Sequence, residues 1–92
     1  GEMLPGSFSL GQNYPNPFNP ATSIAFTLSR ASRASLKVFD ILGREVAVVA
    51  NGQYPAGTHT VEFDARALSS GVYIYRLDAE GYTDVKKMVF MK

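Results

Sequence analysis

Cysteine is absent from the 92 residues, and histidine occurs once, at His59. Without cysteine the chain lacks the disulfides with which many small extracellular domains supplement a small core. That absence assigns no compartment, because exported bacterial proteins also fold without disulfides. Neither sign of charge dominates. Nine basic residues stand against eight acidic ones, a formal net charge of +1, which argues against the broad basic surface that holds a nucleic-acid backbone. No apolar run approaches the roughly 18–20 residues that cross a bilayer, so no transmembrane segment is expected. The opening GEMLPGSFSL has neither the basic nor the apolar region of a signal peptide. The chain, starting at Gly1 rather than an initiator methionine, is expected to be a domain cut from a longer parent that carries its own export signal. A chain of this length makes one domain and buries only about 60–65% of its unfolded surface, so every strand has to contribute to packing.

Residues that carry chemistry are equally scarce. A hydrolase or transferase needs a nucleophile, a base and an orienting group within hydrogen-bond reach, or paired carboxylates. His59 falls on the strand face of Val61 and Phe63 and reads as structural. Glu45, Glu62, Asp64, Asp78, Glu80 and Asp84 are scattered, and only Glu62 with Asp64, or Asp78 with Glu80, share a strand face, which reads as solvated surface rather than a glycosidase pair. No acidic loop has EF-hand spacing and no glycine cluster follows a strand to cradle phosphate. The expectation is a chain that is not an enzyme and takes no cofactor and no metal. Exposed tyrosines are the remaining chemical handle, since sugar rings stack on aromatic faces. Tyr14, Tyr54 and Tyr82 are expected in loops, whereas Tyr73 and Tyr75 share a strand face with Leu77 and are expected in the core with their hydroxyls at an edge.

Hydrophobic periodicity is two almost throughout. Four of the five prolines, Pro5, Pro15, Pro17 and Pro20, lie in the first 21 residues, which excludes helix there and predicts an extended, kinked segment over Asn13–Pro20 after a linker over residues 1–11. From Thr22, Ile24, Phe26 and Leu28 alternate with polar or small residues. Leu36 and Val38 do the same before Asp40-Ile41-Leu42-Gly43 turns the chain into a strand at Val46–Val49. Asn51-Gly52 predicts a loop running to Gly57. Val61 and Phe63 face inward on the next strand, and Ala65–Ser70 has room for one helical turn. Gly71 opens a strand, Val72–Leu77, whose apolar residues on both faces predict a central position. The last strand, Thr83–Met91, sets Val85, Val89 and Met91 opposite Met88 and Phe90. Ile24, Phe26, Leu36, Val38, Val61, Phe63, Tyr73 and Leu77 are expected to form the core. Six or seven short strands without a long amphipathic helix predict an all-β, two-sheet antiparallel sandwich. The free outer edge of the last strand is expected to stay open, offering main-chain groups to a receptor strand.

Three stretches resemble the type A C-terminal sorting domain of the type IX secretion system found in Bacteroidetes. The first is Gln12-Asn13-Tyr14-Pro15-Asn16-Pro17-Phe18-Asn19-Pro20 with Ala21–Ile24. The second comprises Leu36–Val46 with its Gly43, Pro55–His59 with Gly57, and Ser70–Leu77 with Gly71 and Tyr73. The third is the closing Lys86-Lys87-Met88-Val89-Phe90-Met91-Lys92. The same style of sequence also resembles immunoglobulin-like domains named after flagellar hook-capping proteins. Membership implies an immunoglobulin-like sandwich of about seven strands over residues 12–92, on a parent chain with a separate cargo domain. It implies passage through the periplasm to the cell surface or the extracellular space. It further implies an outer-membrane translocon that recognises the domain and a cysteine-protease sortase for which this chain is substrate. The edge of the last strand is expected to be the part that is read, at Lys86, Lys87, Val89, Met91 and Lys92, with the lysines supplying charge contacts. The competing readings are a carbohydrate-binding accessory module and a passive spacer of an extracellular hydrolase.

Overall fold

The computed structural model describes residues 7–92; the first half of the expected linker, residues 1–6, lies outside the described residues. Alternation turns directly into seven strands: β1 (Ser9–Leu10), β2 (Ala21–Leu28), β3 (Ser32–Phe39), β4 (Glu45–Tyr54), β5 (Gly57–Asp64), β6 (Gly71–Ala79) and β7 (Tyr82–Phe90). They form two sheets, ordered β1-β2-β5 and β4-β3-β6-β7, in which every neighbouring pair is antiparallel. The sheets pack face to face as an immunoglobulin-like sandwich. β6, with its apolar residues on both faces, sits between β3 and β7, away from either edge.

The inward faces follow the period-two pattern. Thr22, Ile24, Phe26 and Leu28 are buried on β2, and Ser32, Ala34, Leu36 and Val38 on β3. Tyr73, Tyr75, Leu77 and Ala79 cover the inner face of β6, and Met88 and Phe90 complete it from β7. Of the eight expected core residues seven are buried; Val61 is half-buried and packs against the core. Phe18, from the proline-rich segment, plugs the space between the sheets. It stacks on Phe90 with ring centroids 5.3 Å apart and meets Phe63 edge-on at 6.4 Å.

Three elements depart from expectation. Asn51-Gly52 does not turn the chain: β4 runs on to Tyr54, with Asn51 opposite Ser35 and Gly52 opposite Ala34. The run Val46–Val49 is evenly apolar because two register shifts, between Leu36/Lys37 and Val38/Phe39, interrupt alternation on β4, as bulges do on an edge strand. Ala65–Ser70 forms no helix; it holds a turn closed by the Leu68 N–H on the Ala65 carbonyl at 2.8 Å. Finally, Ser9 and Leu10, expected in the linker, pair with Thr27 and Phe26. Leu10 is buried, and its hydrophobic gain holds this short strand in place.

The registers give the sandwich two unlike ends. The chain enters beside the β2–β3, β4–β5 and β6–β7 connections, where Phe8 stacks on Tyr82 at 5.7 Å. The β3–β4 turn, the β5–β6 loop and Met91–Lys92 lie at the far end. Phe63 lies in the core near that far end, so Phe63→Ala is expected to cost about 3–5 kcal/mol. Its melting temperature should fall by at least about 12 °C in a domain of this size, measured by thermal circular dichroism. A fall below about 4 °C would contradict the packing.

Candidate recognition surface

The proline-rich segment is a strap between the two sheets. On one side it continues the edge of the three-stranded sheet: the Gly11 N–H donates to the Ala25 carbonyl at 2.8 Å, and Tyr14 and Ser23 exchange both backbone bonds at 2.9 Å. The approach at Gly11 is close, and a Cβ there would stand 3.1 Å from the Ala25 carbonyl oxygen. On the other side the strap covers the outer edge of β7. Gln12 Nε2 donates to the Lys87 carbonyl (2.9 Å), and Asn16 Oδ1 accepts from the Val89 N–H (2.9 Å). The Phe18 N–H donates to the Val89 carbonyl (2.9 Å), and the Phe18 carbonyl accepts from the Met91 N–H (3.0 Å).

This overturns the expected open edge over Lys87–Met91. Proline has no N–H with which to build a ladder, so a segment this rich in proline reads as unable to pair. The residues between and beside the prolines do the pairing: the Phe18 backbone supplies one donor and one acceptor, the Gln12 side chain a second donor, and the Asn16 amide, between two prolines, a second acceptor. Towards the entry end, the Val85 N–H is turned onto Asp84 Oδ1 at 2.9 Å.

The signature residues hold the strap together. Asn13 is buried; its Nδ2 donates to the Pro15 carbonyl (3.1 Å) and to Thr22 Oγ1 (3.0 Å), and its Oδ1 accepts from Gln12 Nε2 (2.7 Å). The Thr22 hydroxyl in turn donates to the Pro15 carbonyl at 2.8 Å. The Pro20 carbonyl accepts from the Ala65 N–H at 2.9 Å. Tyr14, Pro15, Asn16, Pro17 and Asn19 present their side chains to solvent. Tyr73 is buried and donates to the Ser69 carbonyl at 2.7 Å, while Gly43 (φ +83°) provides the left-handed corner of the β3–β4 turn.

One core hydroxyl ties strap to sheet. Tyr75 is fully buried on β6; its hydroxyl accepts from the Asn13 N–H and donates to the Gly11 carbonyl, both at 2.7 Å. Burial raises its pKa above the ordinary phenol value, the Asn13 N–H opposes the shift, and the charge of Asp84 adds to it.

The expected recognition residues divide between two faces. Val85, Lys87, Val89 and Met91 share the outer face of the four-stranded sheet, whereas Lys86 has the inward parity of Met88 and Phe90 and is half-buried. Lys92 lies at the far end, its N–H on Ser70 Oγ at 2.9 Å. Among the described residues, no ion pair involves Lys86, Lys87 or Lys92.

The other sequence candidates do not converge on a site. Glu45, Asp64, Asp78 and Glu80 pair with Lys37, Arg66, Arg76 and Arg30, and His59 Nε2 lies 2.7 Å from the Pro55 carbonyl. Among the described residues, no group of three or more His, Cys, Asp or Glu side chains is placed to hold a metal ion. Tyr54 and Tyr82, expected in loops, instead end β4 and begin β7. Each already has an aromatic neighbour: Tyr54 meets Phe26 edge-on at 5.4 Å, and Tyr82 stacks on Phe8. Tyr14 alone of the three is highly exposed, at 81%, so they form no shared stacking platform.

Two expectations test the strap. Tyr75→Phe leaves the buried Asn13 N–H and Gly11 carbonyl without their partner, and the domain should lose about 1–3 kcal/mol at neutral pH by chemical denaturation. Because the folded-state pKa of Tyr75 is raised, its contribution is complete below the unfolded value near 10 and is lost as pH rises from there through the folded value. The Phe variant should therefore show a shallower alkaline loss than the wild type; parallel curves would contradict this linkage. Asn16→Ala should speed amide exchange at Val89 by about five-fold or more with little change at Tyr75, and an unchanged Val89 rate would show that the side-chain bond is not protective.

A family model described as a secretion system C-terminal sorting domain matches residues 12–91. Comparison with curated proteins gave no match, and comparison with solved structures gave none. The matched span starts with the strap and runs just past the strand that the strap covers, taking in every strand of the sandwich except β1. The chain belongs to the family of type IX secretion system C-terminal sorting domains.

Proposed function

We propose that this sandwich is the address read by the type IX outer-membrane translocon, and that a sortase then separates it from its cargo. A sorting domain of this family directs secretion to the cell surface or beyond; the finer reading adds periplasmic transit, a cargo domain on the same parent chain and the residues read. The observation that carries it is the outer face of β7. Lys87, Val89 and Met91 project from one side of that strand, and Lys92 follows at the far end, with no ion pair to either lysine among the described residues. Apolar side chains flanked by uncompensated cations suit a receptor that must recognise a common face on many cargoes. Lys86, half-buried on the inward parity, lies off this face.

Removing the strand is a poor test, because Met88 and Phe90 are fully buried and their loss would unfold the domain. The informative variant combines Lys87→Gln, Met91→Ser and Lys92→Gln, all at exposed positions. Fused to a periplasmic reporter in a type IX-competent host, the wild-type domain is expected to send the reporter outside the cell. The triple variant should keep its melting temperature within about 3 °C and retain most of the reporter. A folded variant exported at the wild-type level would remove these side chains from the reading, and a wild-type fusion retained in the periplasm would end it altogether.

A further inference from the structure

The β3–β4 turn presents two large apolar side chains that the turn does not need. Its geometry is fixed by Asp40, Gly43 and Arg44. Asp40 Oδ1 accepts from the Leu42 N–H (2.9 Å) and the Arg44 N–H (3.0 Å), and Oδ2 accepts from Arg44 Nε (2.8 Å). The Gly43 N–H donates to the Asp40 carbonyl, the Asp40 N–H donates to the Arg44 carbonyl, and Gly43 takes the left-handed corner. The Arg44 amide first, with its guanidinium and the Leu42 amide, holds the Asp40 carboxyl below its ordinary range against desolvation, so the turn stays tied at neutral pH. On this pinned loop, Ile41 and Leu42 are 71% and 73% exposed. Polar residues are the ordinary occupants of such a tip.

The tip does not stand alone. Ile41 and Leu42 line a groove of about 410 Å³ whose other wall is Ser69–Tyr73, and Ile41 also borders a second hollow of about 260 Å³ that reaches Ile74 and Val85 on the outer sheet face. Val72, in the first wall, is 37% exposed and pairs in register with Val89; Met91, just beyond the end of β7, is 56% exposed. The exposed apolar groups are therefore continuous with the face of β7 proposed above as the recognition surface. Charge around them leans basic. Asp40 pairs with Arg44 inside the turn and Glu45 with Lys37, whereas Lys87 and Lys92 are unpaired among the described residues. The surface also lies at the end away from Phe8, roughly 27 Å along β7 from Tyr82 at the strand rise per residue.

We propose that Ile41 and Leu42, with Val72 and Met91, form a docking surface for a protein partner bearing an apolar pocket rimmed by carboxylates, and that this partner is the translocon. The inference rests on the sorting reading and extends it to a hairpin tip about 40 residues upstream of β7 in the sequence. The tip anchors the domain by inserting two side chains, while β7 supplies the flanking contacts and the lysines select an acidic rim.

The test uses the double variant Ile41→Asp/Leu42→Asp and, as a charge-neutral control, Ile41→Ser/Leu42→Ser. Binding of the purified domain to the purified, detergent-solubilised type IX outer-membrane translocon is measured alongside thermal melting and reporter export. Both variants are expected to melt within about 3 °C of wild type, to bind at least about ten-fold more weakly, and to export correspondingly less reporter. A folded variant that binds as wild type does overturns the docking surface, and so does a wild-type domain that fails to bind the translocon. Export of the wild-type fusion decides the sorting reading separately: export without this binding leaves a sorting signal that docks elsewhere, and retention ends the sorting reading itself.

Discussion

The hydroxyl of Tyr75 is the point on which the two sheets and the strap converge. It sits in the core, at the end of a side chain from an interior strand, and its two bonds go to backbone groups of a segment more than sixty residues away in sequence. A phenol buried without partners would oppose folding, so the core is satisfied only when Gly11 and Asn13 lie where they do. Their placement aligns Gln12, Asn16 and Phe18 along β7, and Phe18 then closes the space between Phe63 and Phe90. The order of causes runs from one buried polar atom, through a proline-rich strap, to a strand edge that is paired where it would otherwise be bare.

Such an arrangement separates the two tasks of β7. Its inward side chains and its edge serve the fold: Met88 and Phe90 fill the core, and the main-chain groups of Val89 and Met91 are occupied by Asn16 and Phe18. Its outward side chains carry little packing responsibility and can be read by a partner without unfolding the sandwich. Over the covered stretch this face therefore offers a partner side chains and charge, not main-chain groups for strand addition. A bare edge would be equally available to any other extended chain, so the strap favours a choosier contact.

Much of the fold was legible because alternation is a local consequence of the strand pleat. Ile24, Phe26, Leu36, Val38 and Phe63 could be assigned to the core one strand at a time. The misreadings had non-local causes. Asn51-Gly52 is a strong turn signal, yet pairing with Ala34 and Ser35 keeps both residues extended. Leu10 and Phe18 lie in segments rich in proline or glycine, with no period to betray their burial, and the strap's bonds to β7 cannot be seen without knowing that the two ends of the chain meet. The tip residues Ile41 and Leu42 were visible in sequence only as part of a turn; their exposure becomes informative once the turn is seen to be held by Asp40, Gly43 and Arg44. The aspartate and glycine of that stretch were the available signal.

The strap has a kinetic corollary. The β3–β4 and β6–β7 hairpins close over short loops, whereas Asn16 meets Val89 across a sequence separation of 73 residues and Gln12 meets Lys87 across 75. Loop-closure entropy and the slow search associated with high contact order both place that meeting late in folding. Until it occurs, the edge of β7 is unprotected, and the interval before closure is when the chain is most exposed to mispairing. A chain whose strap is held away from β7 would therefore stay a nearly complete but unsealed sandwich.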